Sequence, residues 1–244
     1  MGMITSTSNK QIVEDCKLKD KKYRDLTGKF LVEGYKLIEE GIKAGFEIDK
    51  IYSFNGYFVN FEKAVAVSEN VINKLSELKT PQKDVAVFYK KELQKTPDNK
   101  FALLLDRIQD PKNVGAILRS AAASGFDYAY LVESADPYSQ KAIRASMGGV
   151  FKVGFESLQQ VEVLDKIANY YVIVADMDGE NVFKCKIPKQ NVLLCLGNEG
   201  QGLADYLMER SNLTLSIPMK NDVESLNAAV SASILMYEIA KEEI

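Results

Sequence analysis

The chain has 244 residues, 46% of them hydrophobic and 27% charged, with a formal net charge of -3; this is the make-up of a folded globular protein and enough chain for two domains. It contains no histidine, which excludes Ser-His-Asp and Cys-His hydrolases, a histidine general base and the usual zinc sites, so no metal is expected. Three widely spaced cysteines, Cys16, Cys185 and Cys195, no apolar run near the ~20 residues of a membrane span and no signal-peptide layout point to a reducing, cytoplasmic setting without a membrane partner.

In chain order, the pattern predicts a helix over Ser8 to Leu18 capped by Ser8, a strand at Lys29 to Glu33, a helix at Tyr35 to Ala44 and a strand at Ile48 to Phe54. Short strands follow at Ala64 to Val67 and Val85 to Tyr89, with a helix near Glu69 to Leu78 between them. This is a small α/β domain, assigned to residues 1–92. Residues 1–100 hold 18 Lys and Arg against 15 Asp and Glu, the rest 13 against 19, so the basic excess is N-terminal. The polar stretch KELQKTPDNK around Pro97 has no apolar period and reads as a linker, assigned to residues 93–100.

From 101 to 244 the rhythm becomes regular. Strands are predicted at Phe101 to Leu105, Tyr128 to Val132, Phe151 to Phe155, Tyr171 to Ala175, Val192 to Leu196 and Leu213 to Ile217. Helices are predicted at 113 to 124, 138 to 147, 157 to 169, 203 to 210 and about Leu226 to Lys241. Such alternation specifies a mostly parallel sheet flanked by helices, with ligands beyond the carboxyl ends of the strands.

Three patches in this half follow predicted strands. The first runs from Asp106 to Arg119 and includes Asn113, read as a helix cap, and Gly115; by local pattern alone, a capped helix with one solvated arginine is the better explanation. The second is Gly197-Asn198-Glu199-Gly200-Gln201-Gly202, whose glycines allow a tight turn against a ligand. Its order is not that of the dinucleotide fingerprint, and Glu199 puts a carboxylate where a pyrophosphate needs bare amides, which argues against a nucleotide-dependent dehydrogenase. The third runs from Ile217-Pro218-Met219 to Ser225-Leu226-Asn227 and an Ala/Ser-rich helix start. Capping explains Ser225, but it does not explain Asn227 or the small residues that would let another backbone approach.

In this order and spacing the patches resemble motifs one, two and three of the SpoU (TrmH-like) family of SPOUT RNA methyltransferases. Asn9-Lys10, Lys21-Lys22-Tyr23-Arg24 and Phe30-Leu31-Val32-Glu33-Gly34 resemble the substrate-binding domain that precedes the catalytic domain in many members. The resemblance implies a C-terminal α/β-knot, a trefoil knot that general packing rules would not propose, along with a homodimer and S-adenosylmethionine as cofactor. It further implies transfer of a methyl group to a ribose 2'-hydroxyl in RNA, with 23S ribosomal RNA favoured over transfer RNA. By correspondence with the motifs, Asn113, Arg119, Glu199, Ser225 and Asn227 are the catalytic set. Leu196, Gly197, Gly202, Ile217, Met219 and Leu226 match the cofactor loops, with Ala175 lining the pocket.

A ribose hydroxyl attacks a sulfonium methyl in line once it loses its proton. Arginine stays protonated, so Arg119 is read as stabilising alkoxide charge and gripping a phosphate, with that phosphate or Glu199 taking the proton. Asn113, Ser225 and Asn227 would orient Arg119, the ribose and the cofactor. RNA contacts are expected from Lys17, Lys21, Lys22 and Arg24, a cluster that a merely solvated helix face also explains, and from Arg144 near the active site. The rival within the fold is an RNA-binding ribosome-assembly factor without catalysis.

Overall fold

The computed structural model describes residues 2–93, 100–188, 191–221 and 223–243; positions 94–99 of the expected linker lie outside them. Its contacts divide the chain into two compact units, one formed by residues up to Lys91 together with Asp136–Phe151, the other by Glu92–Ala135 and the chain from Lys152 onward.

The first unit contains α1 (Lys10–Cys16), α2 (Lys21–Thr27), β1 (Lys29–Glu33), α3 (Tyr35–Lys43), β2 (Ile48–Ser53), β3 (Ala64–Ala66), α4 (Glu69–Leu75), β4 (Asp84–Tyr89) and α6 (Gln140–Ser146). Its sheet has the order β1-β4-β2-β3, β4 antiparallel to both neighbours and β3 parallel to β2. The first helix starts two residues later than expected and ends two earlier: Asn9 is the cap, its side chain accepting from Gln11 N at 2.9 Å, while Ser8 bonds to Ser6. Between α1 and α2, residues Lys17–Lys19 form a 3-10 turn.

Residues 136–151 belong to this unit, where a boundary at residue 92 had put them with the second half. The cause is a ring cluster: Tyr138 lies 4.4 Å and Phe151 6.5 Å from Phe30 by centroids, and Phe151 also meets Phe46 and Phe88. The Gln140 amide donates to Leu75 O at 3.1 Å. Interleaved aromatic burial of this kind follows no sequence period, so pattern alone could not assign the segment.

The second unit contains β5 (Phe101–Asp106), α5 (Pro111–Ser124), β6 (Tyr128–Val132), β7 (Gly154–Leu158), α7 (Gln160–Ile167), β8 (Tyr171–Asn181), β9 (Val192–Leu196), α8 (Asp205–Arg210), β10 (Leu213–Ser216) and α9 (Ala228–Ala240). Its six strands take the order β10-β8-β9-β5-β6-β7 and every neighbouring pair is parallel. β5 and β9, at the centre, are buried along their whole length, which is why both read as unbroken apolar runs. Burial in β9 pushes the Cys195 thiol up, leaving it an inert core residue.

Two strands depart from expectation. The strand expected at 151–155 begins at Gly154, where a Cβ would lie 2.4 Å from Leu93 O and 2.7 Å from the Tyr128 ring; Gly149–Phe151 form a 3-10 turn instead. β8 continues to Asn181, beyond the expected end at Ala175, because it pairs with β10 twice. Ile173 and Val174 face Leu213 and Thr214, then the register jumps so that Glu180 and Asn181 face Leu215 and Ser216. The residues between leave the ladder as a bulge, and Gly179 permits the return: a Cβ there would lie 2.6 Å from the Leu215 carbonyl carbon.

Candidate active site

That bulge forms one wall of a cavity in the second unit, with about 800 Å³ of empty space, part of it open to solvent. The other walls are the end of β9, the turn at 197–202, the loop at 217–226 and the first turns of α9. All seven residues expected at the cofactor line it: Ala175, Leu196, Gly197, Gly202, Ile217, Met219 and Leu226. Glu199 and Ser225 line it as well. Apolar side chains, exposed turn backbone and two carboxylates, Asp176 and Glu199, suit a cationic nucleoside such as S-adenosylmethionine and disfavour a polyphosphate.

The glycine turn is built to close on itself. Asn198 N donates to Gly202 O at 3.1 Å and Gly202 N to Asn198 O at 2.9 Å. Asn198 Oδ1 accepts from Gly200 N and Gln201 N at 2.9 and 3.1 Å. A Cβ on Gly197 would come within 2.4 Å of the Gly202 backbone, and Gly202 has φ +66°, so both positions require glycine for stated reasons.

What holds the turn is a pair that the sequence did not assign a role. Asp106, at the end of β5, is 1% exposed; a carboxylate so buried needs partners. It accepts from Ala204 N at 2.9 Å and from Arg107 Nη2 at 2.9 Å. That hydrogen bond raises the Arg107 guanidinium above its usual value. Arg107 also donates to Gln201 Oε1 and Gly202 O, both at 3.1 Å, while its own carbonyl accepts from Asn198 Nδ2 at 3.0 Å. It does so from the left-handed region, φ +57°, where a non-glycine residue is uncommon. The available signal was an aspartate ending a wholly apolar strand and followed by a cation.

Three of the catalytic candidates are joined by hydrogen bonds. Asn227 Nδ2 donates to Asn113 Oδ1 at 3.0 Å, and Asn113 Nδ2 donates to Glu199 Oε1. Two capping assignments are corrected. Asp110 caps α5 by accepting from Lys112 N at 2.9 Å, with Pro111 as the first helical residue, which frees the Asn113 side chain for Glu199. Asn227, not Ser225, caps α9, accepting from Ala229 N and Val230 N. Ser225 instead stands exposed on the cavity wall.

Arg119 is exposed on α5, pairs with no carboxylate among the described residues and is not among those lining the cavity. The helix that carries it is fixed against α9, where Ser120 and Ser233 hydroxyls meet at 2.7 Å.

Among the expected RNA contacts, Arg24 is corrected outright. It is 4% exposed, with Nη2 2.7 Å from Asp136 Oδ2, and Nη1 donates to Leu18 O and Lys19 O at 2.8 and 2.7 Å. Its geometry is that of a buried structural clamp. Lys21 and Lys22 are exposed, and Lys17 is paired with Glu14 at 2.8 Å. Arg144 is half-buried, with looser ion pairs to Glu77 at 3.8 Å and Glu33 at 4.0 Å.

Comparison with known proteins finds a family match in each part of the chain. Residues 100–237 match the SpoU rRNA Methylase family and residues 9–86 the MRM3-like substrate binding domain. The chain is 31% identical to the 23S rRNA (guanosine(2553)-2'-O)-methyltransferase RlmP of Bacillus subtilis over 98% of this chain and 99% of that one. Its fold superposes on an AdoMet-bound rRNA methyltransferase from Sinorhizobium meliloti with a TM-score of 0.89 at 26% identity, covering 100% of this chain and 98% of the other. It superposes on the AdoMet complex of the SpoU methyltransferase AviRb from Streptomyces viridochromogenes with a TM-score of 0.86 at 25% identity, covering 96% and 98%. The α/β class with a knotted catalytic half rests on these likenesses in fold. With the family match across the whole cavity and a relative aligned along nearly the full length, the chain belongs to the SpoU rRNA methylase family.

Proposed function

We propose that the protein transfers a methyl group from S-adenosylmethionine to a ribose 2'-hydroxyl in RNA, with 23S ribosomal RNA as the target. The observation that carries this reading is the convergence of Ala175, Leu196, Gly197, Gly202, Ile217, Met219 and Leu226 on one cavity, with Glu199 at its edge tied to Asn113 and Asn227.

When bound, S-adenosylmethionine supplies an electrophilic methyl group. Leu196, Ile217 and Leu226 supply apolar surface that excludes water from the reacting centre. The backbone of 197–202, held by Asp106 and Arg107, offers fixed donors and acceptors that need no reorganisation. Asn113 and Asn227 hold the Glu199 carboxylate, and Ser225 presents a hydroxyl for orientation. Arg119 stabilises the developing alkoxide and grips the adjacent phosphate; the phosphate or Glu199 receives the hydroxyl proton.

Around this centre, residues 1–92, with Asp136–Phe151 folded into the same unit, serve as the substrate-binding domain and the remainder of 101–244 as the catalytic domain, joined at 93–100. Lys17, Lys21, Lys22 and Arg144 contact RNA phosphates. The active form is a cytoplasmic homodimer that covers the exposed Val230 and Tyr237 of α9.

Incubation of purified protein with S-adenosylmethionine carrying a labelled methyl and 23S rRNA from a strain lacking the gene tests this, with ribose methylation mapped by nucleotide. One site is expected to acquire label, and Arg119→Ala to lower kcat by about 10²- to 10³-fold, the scale for one charge-stabilising donor. Label in transfer RNA alone would replace the proposed target. No label in any RNA would favour the assembly factor.

A further inference from the structure

At one end of the first unit's sheet, where β1 and β2 finish and β4 begins, two buried carboxylates organise the surface. Glu33 accepts from Ser76 Oγ at 2.7 Å and from Gln82 N at 2.8 Å. Asp84 accepts from Ser53 Oγ at 2.7 Å, Tyr57 N at 2.8 Å and Phe58 N at 3.4 Å. Gly56 lies so close to Asp84 that a Cβ would come within 2.2 Å of its Oδ1. The loop carrying Tyr57 is therefore moulded onto a fixed anion rather than draped over the surface. Tyr35 opens α3 directly after Gly34, whose N donates to Asp84 O at 3.0 Å and whose φ is +97°.

The result is an exposed pair of rings on rigid supports. Tyr35 and Tyr57 stack with centroids 5.3 Å apart and planes at 28°, while 41% and 65% of the two residues stay in solvent. Lys36 sits 6.0 Å from the Tyr35 ring centroid, and Lys83 immediately precedes Asp84. Neither lysine pairs with a carboxylate among the described residues, whereas Glu33 and Asp84 are buried and occupied by the bonds above. Exposed aromatic faces with a cation beside one of them, and with the two buried carboxylates already occupied, match an unstacked base and a phosphate next to it.

We infer that Tyr35 and Tyr57 form a stacking platform for one unpaired base of the RNA substrate, with Lys36 holding an adjacent phosphate. The inference rests on the proposed RNA activity and adds the feature that the first unit reads, an unpaired nucleotide rather than duplex. The test uses full-length protein and a hairpin RNA with a single 2-aminopurine in its loop, alongside a duplex of the same composition. Wild-type protein is expected to bind the hairpin more tightly than the duplex. Tyr57→Ala should weaken hairpin binding by about 5- to 100-fold, the span for losing one base stack, while leaving the duplex and S-adenosylmethionine affinities unchanged; Tyr57→Trp should restore hairpin binding. Unchanged hairpin binding by Tyr35→Ala and Tyr57→Ala, or equal losses on hairpin and duplex, overturns the platform while the methyltransferase reading stands. Wild-type protein that binds neither RNA would overturn both.

Discussion

Both units bury a carboxylate at the end of a strand and use it to freeze a loop, yet the loops do opposite things. In the second unit Asp106 and Arg107 fold residues 197–202 inward, and the turn walls a largely apolar cavity. In the first unit Glu33 and Asp84 hold loops that turn rings and lysines outward. The same device thus serves a small cation-bearing ligand in one place and a polyanion in the other. What distinguishes them is which groups the frozen backbone presents. A charged residue in the sequence can therefore face solvent or serve as a scaffold, and Lys22 and Arg24, two positions apart, are one of each.

The largest effect expected from breaking a scaffold lies in the first unit. Arg24→Ala leaves the half-buried Asp136 without its cation and should cost about 3 kcal/mol of stability, the lower end of the scale for breaking a buried ion pair. Denaturant unfolding would show it, whereas Lys22→Ala should leave stability within about 0.5 kcal/mol, as for ordinary surface positions. Equal stability of the two variants would return Arg24 to the RNA-binding surface.

The matching change in the second unit should be smaller and should appear in function. Arg107→Ala removes the ion pair with Asp106 and the bonds to Gln201 and Gly202 that hold the turn, loosening that wall without altering any residue that lines the cavity. We expect KM for S-adenosylmethionine to rise about tenfold, roughly one charge-assisted hydrogen bond, with kcat reduced less, and Arg107→Lys to recover part of the loss. A fall in kcat alone would make Arg107 a substrate contact rather than a positioning residue.

Most of this was legible in the sequence where one physical demand leaves one residue type. Buried parallel strands forced apolar runs at 101–105 and 192–196. Gly197 and Gly202 stood out because a turn closing on itself admits no Cβ. Legibility failed where a role depends on a distant partner. Asn113 looks like a cap until Asp110 takes that duty, and Asn227 displaces Ser225 by the geometry of one turn. Arg24 looks like part of a basic patch until Asp136 arrives from 112 residues away. The bulge of β8 was hidden because its second pairing with β10 begins only after five residues have left the ladder. Tyr35 and Tyr57 carry no pattern at all; only the fold brings them together.

Isothermal calorimetry of S-adenosylmethionine against wild-type protein and Gly197→Ala addresses the cavity directly. Saturable binding at one site per chain is predicted for the wild type. For the variant, still folded by circular dichroism, binding should be abolished or weakened by at least about 100-fold, because a methyl group 2.4 Å from the Gly202 backbone forces open the turn that forms the cavity wall. A wild-type protein that releases no heat, or a folded variant that binds as tightly as its parent, would contradict the account.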